Sequence, residues 1–169
     1  MPTAANTHVY TGADGALLLA PGDEGPEGAA AQAVIEANDL IQVGRVTGVT
    51  VEINSAIRPF HEIGQRYATE LRSGNVSVRG RFDRAYLNGA LLSLLLGEAA
   101  AGRPGRSWPQ PSFNVTLMSE NAARPGTRST VTLHGVKLEQ WNLTMPEDDF
   151  VMEGASFQAL YATVQDEAA

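Results

Sequence analysis

His61-Glu62-Ile63-Gly64-Gln65 begins as a zinc-protease helix does, with a histidine followed at once by the glutamate that would serve as general base. That chemistry needs a second histidine one helical turn on, and Gln65 stands there instead. Pro59 lies just upstream, so the stretch reads as a loop and His61 as a polar loop residue. Gly97 and Gly102 have the glycine spacing of a phosphate-binding loop, but Arg103-Pro104 replaces both the lysine and the magnesium-binding hydroxyl. No Gly-x-Ser-x-Gly elbow occurs. The acidic clusters Asp23-Glu24 and Glu147-Asp148-Asp149 lack calcium-loop spacing and read as solvated turns.

With no cysteine, disulfides, thiolate metal sites and a cysteine nucleophile are all excluded. No catalytic, cofactor or metal site is therefore expected, and the chain reads as a non-enzyme. Three sequons, at Asn75, Asn114 and Asn142, fit strand alternation better than glycosylation, because the first residues lack a basic and apolar secretory signal. The longest apolar run, near Ala90 to Leu96, is too short to span a membrane. A net charge of −7 gains nothing from counterion release on DNA. Such a chain can still surround nucleic acid without adhering to it. Trp108 and Trp141 read as packing residues rather than as a base-stacking platform.

The length of 169 residues suits one domain, taken as 1–169, with 1–8 and 165–169 expected to be flexible ends. At 43% hydrophobic the chain can fold, and 17 Gly with 9 Pro favour short elements joined by turns. Val9 to Ala20 reads as a hairpin, and Ala29 to Ala37 as a short helix with Pro26 near its first turn. Val43 to Ile57 alternates strictly, with Val49, Val51 and Ile53 opposite Thr50, Glu52 and Asn54. Pro59 should end that ladder. Leu71 to Arg84 alternates too, with Val76, Val78 and Phe82 opposite Ser77, Arg79, Arg81 and Asp83.

Between them, 59–70 forms a long loop of the kind that contacts something. Asn88 to Leu96 is a helix apolar on most sides, which one small β domain should not cover alone. In Thr130 to Met145 the apolar phase shifts from Val131/Leu133 to Val136/Leu138, placing a bulge at Gly135, and shifts back by Trp141/Leu143. Phe150 to Val164 reads as the last strand.

Over about residues 43–97, Pro59-Phe60-His61-Glu62-Ile63-Gly64, then Glu70 to Gly80, then Arg84 to Leu92, the chain resembles the tail tube proteins of tailed bacteriophages. The strand Phe157 to Ala162 fits as well. The resemblance implies an antiparallel β-sandwich or barrel with one flanking α-helix. Six copies would form a ring around a central β-barrel channel, and rings would stack into a hollow virion tail tube assembled in the host cytoplasm. Its relatives include contractile injection and type VI secretion tubes. Partners so implied are further copies of the chain, a tape measure protein, terminator and baseplate proteins, and a sheath if the tail contracts. Genomic DNA would pass without specific binding, and no membrane is involved.

Thr50, Glu52, Asn54, Ser77, Arg79, Arg81 and Asp83 would line the channel. Arg79 and Arg81 should then pair with Glu52 or Asp83, because a wall for DNA must not adhere. Contacts between subunits or rings would fall to Pro59, Phe60, His61, Glu62, Arg66 and Tyr67 of the loop, and to Leu87, Leu91, Leu94 and Leu95 of the helix. A terminator, baseplate hub or injection-machine tube would share these features. An enzyme or a carbohydrate-binding module fits less well, since the sequence offers neither a convergent catalytic set nor many aromatics, at 7%.

Overall fold

The computed structural model describes residues 8–167. Seven strands form two sheets that share one strand. They are β1 (Gly15–Pro21), β2 (Val46–Phe60), β3 (Glu70–Ala85), β4 (Phe113–Glu120), β5 (Arg128–Thr144), β6 (Met152–Ala159) and β7 (Tyr161–Glu167). The helices are α1 (Pro26–Asn38), before β2, and α2 (Ala90–Leu96), before β4. All strand pairings are antiparallel. The first half of β5 lies between β4 and β7, and β1 flanks β4. Its second half pairs with β6, which leads on to β3 and then β2.

The sharing of β5 follows from two register shifts. One lies at the expected Gly135, where residues 134 and 135 face the single residue Asn114. Gly135 has φ +64° and accepts a turn that an L side chain resists. Its N–H donates to Asn114 Oδ1 at 3.1 Å, and a Cβ here would stand 2.5 Å from Leu160. The second shift, between Leu138 and Gln140, restores the phase at Trp141. Opposite the first bulge, the expected single last strand bends at Leu160, whose N–H donates to the His134 carbonyl, and becomes β6 and β7.

One core joins both sheets and both helices, with Phe82, Phe113, Phe157, Leu133 and Leu138 at its centre. Phe82 and Phe157 pack with tilted rings 6.2 Å apart. Pro26 at the first helical position starts α1, and Asp39 in the left-handed region ends it.

Several expectations are corrected. Val9 and Tyr10 form no strand. Asp14 accepts hydrogen bonds from the N–H and hydroxyl of Thr11, and the resulting 3-10 turn leads directly into β1. Both helices read from the sequence form and flank the sheets, where the resemblance implied one. Residues 165–167 belong to β7, held by Ser129 to Asp166 and by the Arg128–Glu167 ion pair at 2.7 Å. That carboxylate raises the Arg128 pKa above its ordinary value, through its hydrogen bond first and its charge second. The remaining residues expected to be flexible, 1–7 and 168–169, lie outside the described residues.

Pro59 does not end the ladder. It pairs with Leu71, and β2 continues to Phe60. Among the described residues β2 has a partner on one side only, and at an edge a missing N–H is tolerated.

Candidate functional site

Cross-strand register brings the polar residues of four strands onto one face. Thr50 lies opposite Arg81, Glu52 opposite Arg79, and Asn54 opposite Ser77. Arg79 and Arg81 in turn lie opposite Gln158 and Ser156 of β6. Ser156 and Gly154 lie opposite Gln140 and Asn142 of β5. The alternate residues Val78, Phe82, Ala155 and Phe157 point into the core. All seven residues expected to line a channel are thus brought together on one sheet face. Gln140, Asn142, Ser156 and Gln158 also lie on this face, and the alternation around Trp141 and Leu143 signals the first two.

Among the seven residues expected on this face the charges balance, while Glu139 beside them accepts from Gln158 Nε2 at 2.6 Å. Arg81 forms an ion pair with Asp83 at 2.9 Å and donates to Asn142 at 3.2 Å. Gly154 lies beneath this group. A Cβ there would fall 2.3 Å from Arg81, 2.4 Å from Asp83 and 2.7 Å from Asn142, so a side chain at this position would push the tips of these three aside. Arg79 has no ion pair among the described residues, and Glu52 stands opposite it in the register. The two arginines against Glu52 and Asp83 sum to zero (+2 − 2). The pairing expected for Arg81 is made directly with Asp83.

Under the same sheet lies a buried polar node. Arg84 and Glu153, exposed by only 1% and 2%, form an ion pair at 2.6 Å. Trp141 Nε1 donates to the second Glu153 oxygen at 2.8 Å, and Arg84 donates to Asn88 Oδ1 at 3.4 Å. Asn88 Oδ1 also accepts the Ala90 N–H at the start of α2. No buried side-chain polar atom is left unsatisfied among the described residues. The node therefore fixes β3, β5, β6 and the helix start to one another.

The second feature is an arm. Support of β3 by β6 stops at the pair Val78–Ala159, whereas β2 and β3 run on together to Phe60 and Glu70. At ~3.3 Å per residue the unsupported part of β3, residues 70–77, projects roughly 25 Å. Every residue from Glu52 to Ser77 is exposed. The core-side alternation nevertheless continues outward through Ile53, Ile57, Leu71 and Val76, all of them more than half exposed. A lone two-stranded hairpin is marginal in water, and an apolar stripe along it calls for a partner surface.

Residues 61–69 make the turn, closed by Thr69 N–H to the Phe60 carbonyl, and Gln65 N–H donates to the Glu62 carbonyl. Pro59, Phe60, His61, Glu62, Arg66 and Tyr67 all belong to the outer end of this arm, all exposed. Of the helix residues expected at a seam, Leu91 and Leu94 are fully buried at 0% exposure, in the protomer's own core. This corrects the inference that α2 needs a neighbour: β5 and α1 together cover it. Leu95 is half-buried, and only Leu87 is exposed.

Among the described residues both sheets also leave free edges, arranged in matching pairs. β1 and β2 lie at one side, and β7 and the second half of β5 at the other. On the first side, between β1 and β2, opens a groove of about 590 Å³ lined by Leu17, Val46, Val49, Val51 and Leu117. On the other side Leu143 and Val164 are exposed.

Comparison with solved structures defines the class. The tube–sheath complex of an extracellular contractile injection system, PVC, in its extended state contains a chain with TM-score 0.64 at 9% identity, over 95% of this chain and 93% of that one. A terminating cap of the anti-feeding prophage tube gives 0.62 at 11%, over 96% and 95%. The SPP1 tail tube gives 0.55 at 12%, over 95% and 81%. No protein-family model matches the sequence, and no curated protein matches it. At these identities the likeness defines the fold: the chain has the fold of tail tube and injection-tube proteins, as the sequence resemblance implied.

Proposed function

We propose that this chain is a structural subunit that closes laterally into a hexameric ring and stacks into a hollow tail tube. The observation that carries this reading is the continuous polar face of β2, β3, β6 and β5 between two free strand edges. Joining β2 of one copy to the outer edge of β5 in the next continues that face around a channel and removes both edges. The core face then points outward against the second sheet, and β7 of the neighbour covers the groove between β1 and β2. In this arrangement the balanced charges of Glu52, Arg79, Arg81 and Asp83, with Thr50, Asn54 and Ser77, form a wall past which a polyanion slides without being held. The arm, with Pro59, Phe60, His61, Glu62, Arg66 and Tyr67, overhangs the ring and engages other copies, as Leu87 and Leu95 do at the protomer surface.

DNA ejection through the lumen, a tape measure protein inside the growing tube, terminator, baseplate and sheath partners, and a place in the virion tail after assembly in the host cytoplasm all belong to this reading. A second reading is a related ring protein that caps or anchors a tube. It is favoured by the similar folds of a PVC sheath/tube terminator, at TM-score 0.62, and an anti-feeding prophage baseplate protein, at 0.56. Electron microscopy of the purified protein separates these. Stacked rings support a tube subunit, isolated rings the cap or anchor, and a persistent monomer at high concentration overturns both. Arg79→Ala with Arg81→Ala should leave assembly intact and alter DNA ejection; loss of assembly would instead put these arginines at a subunit interface.

A further inference from the structure

The arm and the β5–β6 turn lie at opposite ends of the same long strands. β3 begins at the arm with Glu70 and ends at Ala85, which pairs with Met152 just past the turn. At ~3.3 Å per residue its 16 residues separate the two ends by roughly 50 Å, so an arm cannot reach the turn of its own protomer.

The two ends are complementary in chemistry. The turn carries Glu147, Asp148 and Asp149, all exposed and none in an ion pair among the described residues. Asp149 only accepts the N–H of Phe150. Beside these carboxylates the apolar side chains of Met145, Phe150 and Leu87 are exposed, Phe150 by 80%. Tyr86 N–H donates to the Val151 carbonyl, which brings the segment after β3 into the same patch. The arm end carries Arg58 and Arg66, both exposed and without an ion pair among the described residues, while Arg72 is engaged by Glu70 at 2.8 Å. With Glu62 included, the arm from Arg58 to Arg72 sums to +1 (three Arg, two Glu) against −3 at the turn. Its apolar partners are Phe60, Ile63 and Tyr67.

We propose that the acidic β5–β6 turn, with its apolar collar, is the seat for the arm of a second copy of this chain in the adjacent ring. This rests on the tube reading above. Two different patches on opposite ends make a head-to-tail contact, and repetition along the strand direction yields an open stack instead of a closed ring. Ring closure is left to the lateral sheet edges. The turn thus sets the polarity of the tube: every arm points toward the same end.

The test uses paired charge reversals in the full chain, with thermal unfolding to confirm that each variant folds. Arg58→Glu with Arg66→Glu, and separately Asp148→Lys with Asp149→Lys, should leave rings intact but shorten tubes at least tenfold by electron microscopy. Mixing the two preformed ring variants should restore tubes, because each arm then meets a turn of opposite sign. Wild-type tubes should also shorten as sodium chloride rises from 0.1 to 1 M. Unchanged tubes in either variant, or no recovery on mixing, would overturn the docking seat. Wild-type rings that never stack would overturn it while leaving ring closure standing, and a wild-type monomer would remove the tube reading itself.

Discussion

Strand β3 has two halves with the same sequence pattern and opposite surroundings. From Val78 to Ala85 it lies between β2 and β6, and its core-side residues Val78, Phe82 and Arg84 are buried. From Glu70 to Ser77 only β2 supports it, and Leu71 and Val76 face water. Alternation of apolar and polar residues therefore says which side of a strand will be covered, not what covers it. In the body the cover is the protomer's own second sheet and α2. On the arm nothing among the described residues supplies it, which is the strongest physical argument that this chain works as one of many copies.

The contrast gives graded tests. The largest effect should come from the body: Glu153→Ala leaves Arg84 as an unpaired buried charge and should lower unfolding stability by ~3–5 kcal/mol, measured in denaturant. A loss under 1 kcal/mol would mean that water reaches this node. Next, Gly135→Ala forces an L residue to φ +64° and a Cβ against Leu160, which should cost about 1–3 kcal/mol by the same measurement. The smallest stability effect should come from the arm. Ile57→Ser with Leu71→Ser should shift monomer stability by less than ~0.5 kcal/mol while abolishing assembly, seen by sedimentation. Amides of residues 53–58, 60 and 70–77 should also exchange faster in free subunits than those of 78–85, and become protected in tubes. Equal protection before assembly would erase the distinction between the halves.

The sequence made the alternating faces of β2 and β3 and the bulge at Gly135 readable because a period of two, and a change in its phase, are local signals. It overstated what α2 lacks. Leu91, Leu94 and Leu95 show that a helix is greasy, but its cover by β5 and α1 depends on sheet topology that no local pattern encodes. The break at Leu160 was hidden for the same reason: it answers a bulge about 25 residues earlier. Gly154 carries no signal of its own, since its need for space comes from Arg81, Asp83 and Asn142 on two other strands. Pro59 fits into the ladder because β2 lies at a sheet edge, where its missing N–H leaves no partner unsatisfied.

The crossing of β5 from one sheet to the other has a mechanical consequence. A force on the arm enters β3 and loads its ladders with β2 and β6 lengthwise, so many backbone bonds must shear at once. Because β5, and likewise the run from β6 to β7, continues covalently into the second sheet, that tension reaches both layers through unbroken backbone. Peeling one sheet from the other would require pulling these strands lengthwise past Gly135 and Leu160. A stack built from such subunits should stretch or bend at its joints before its walls delaminate.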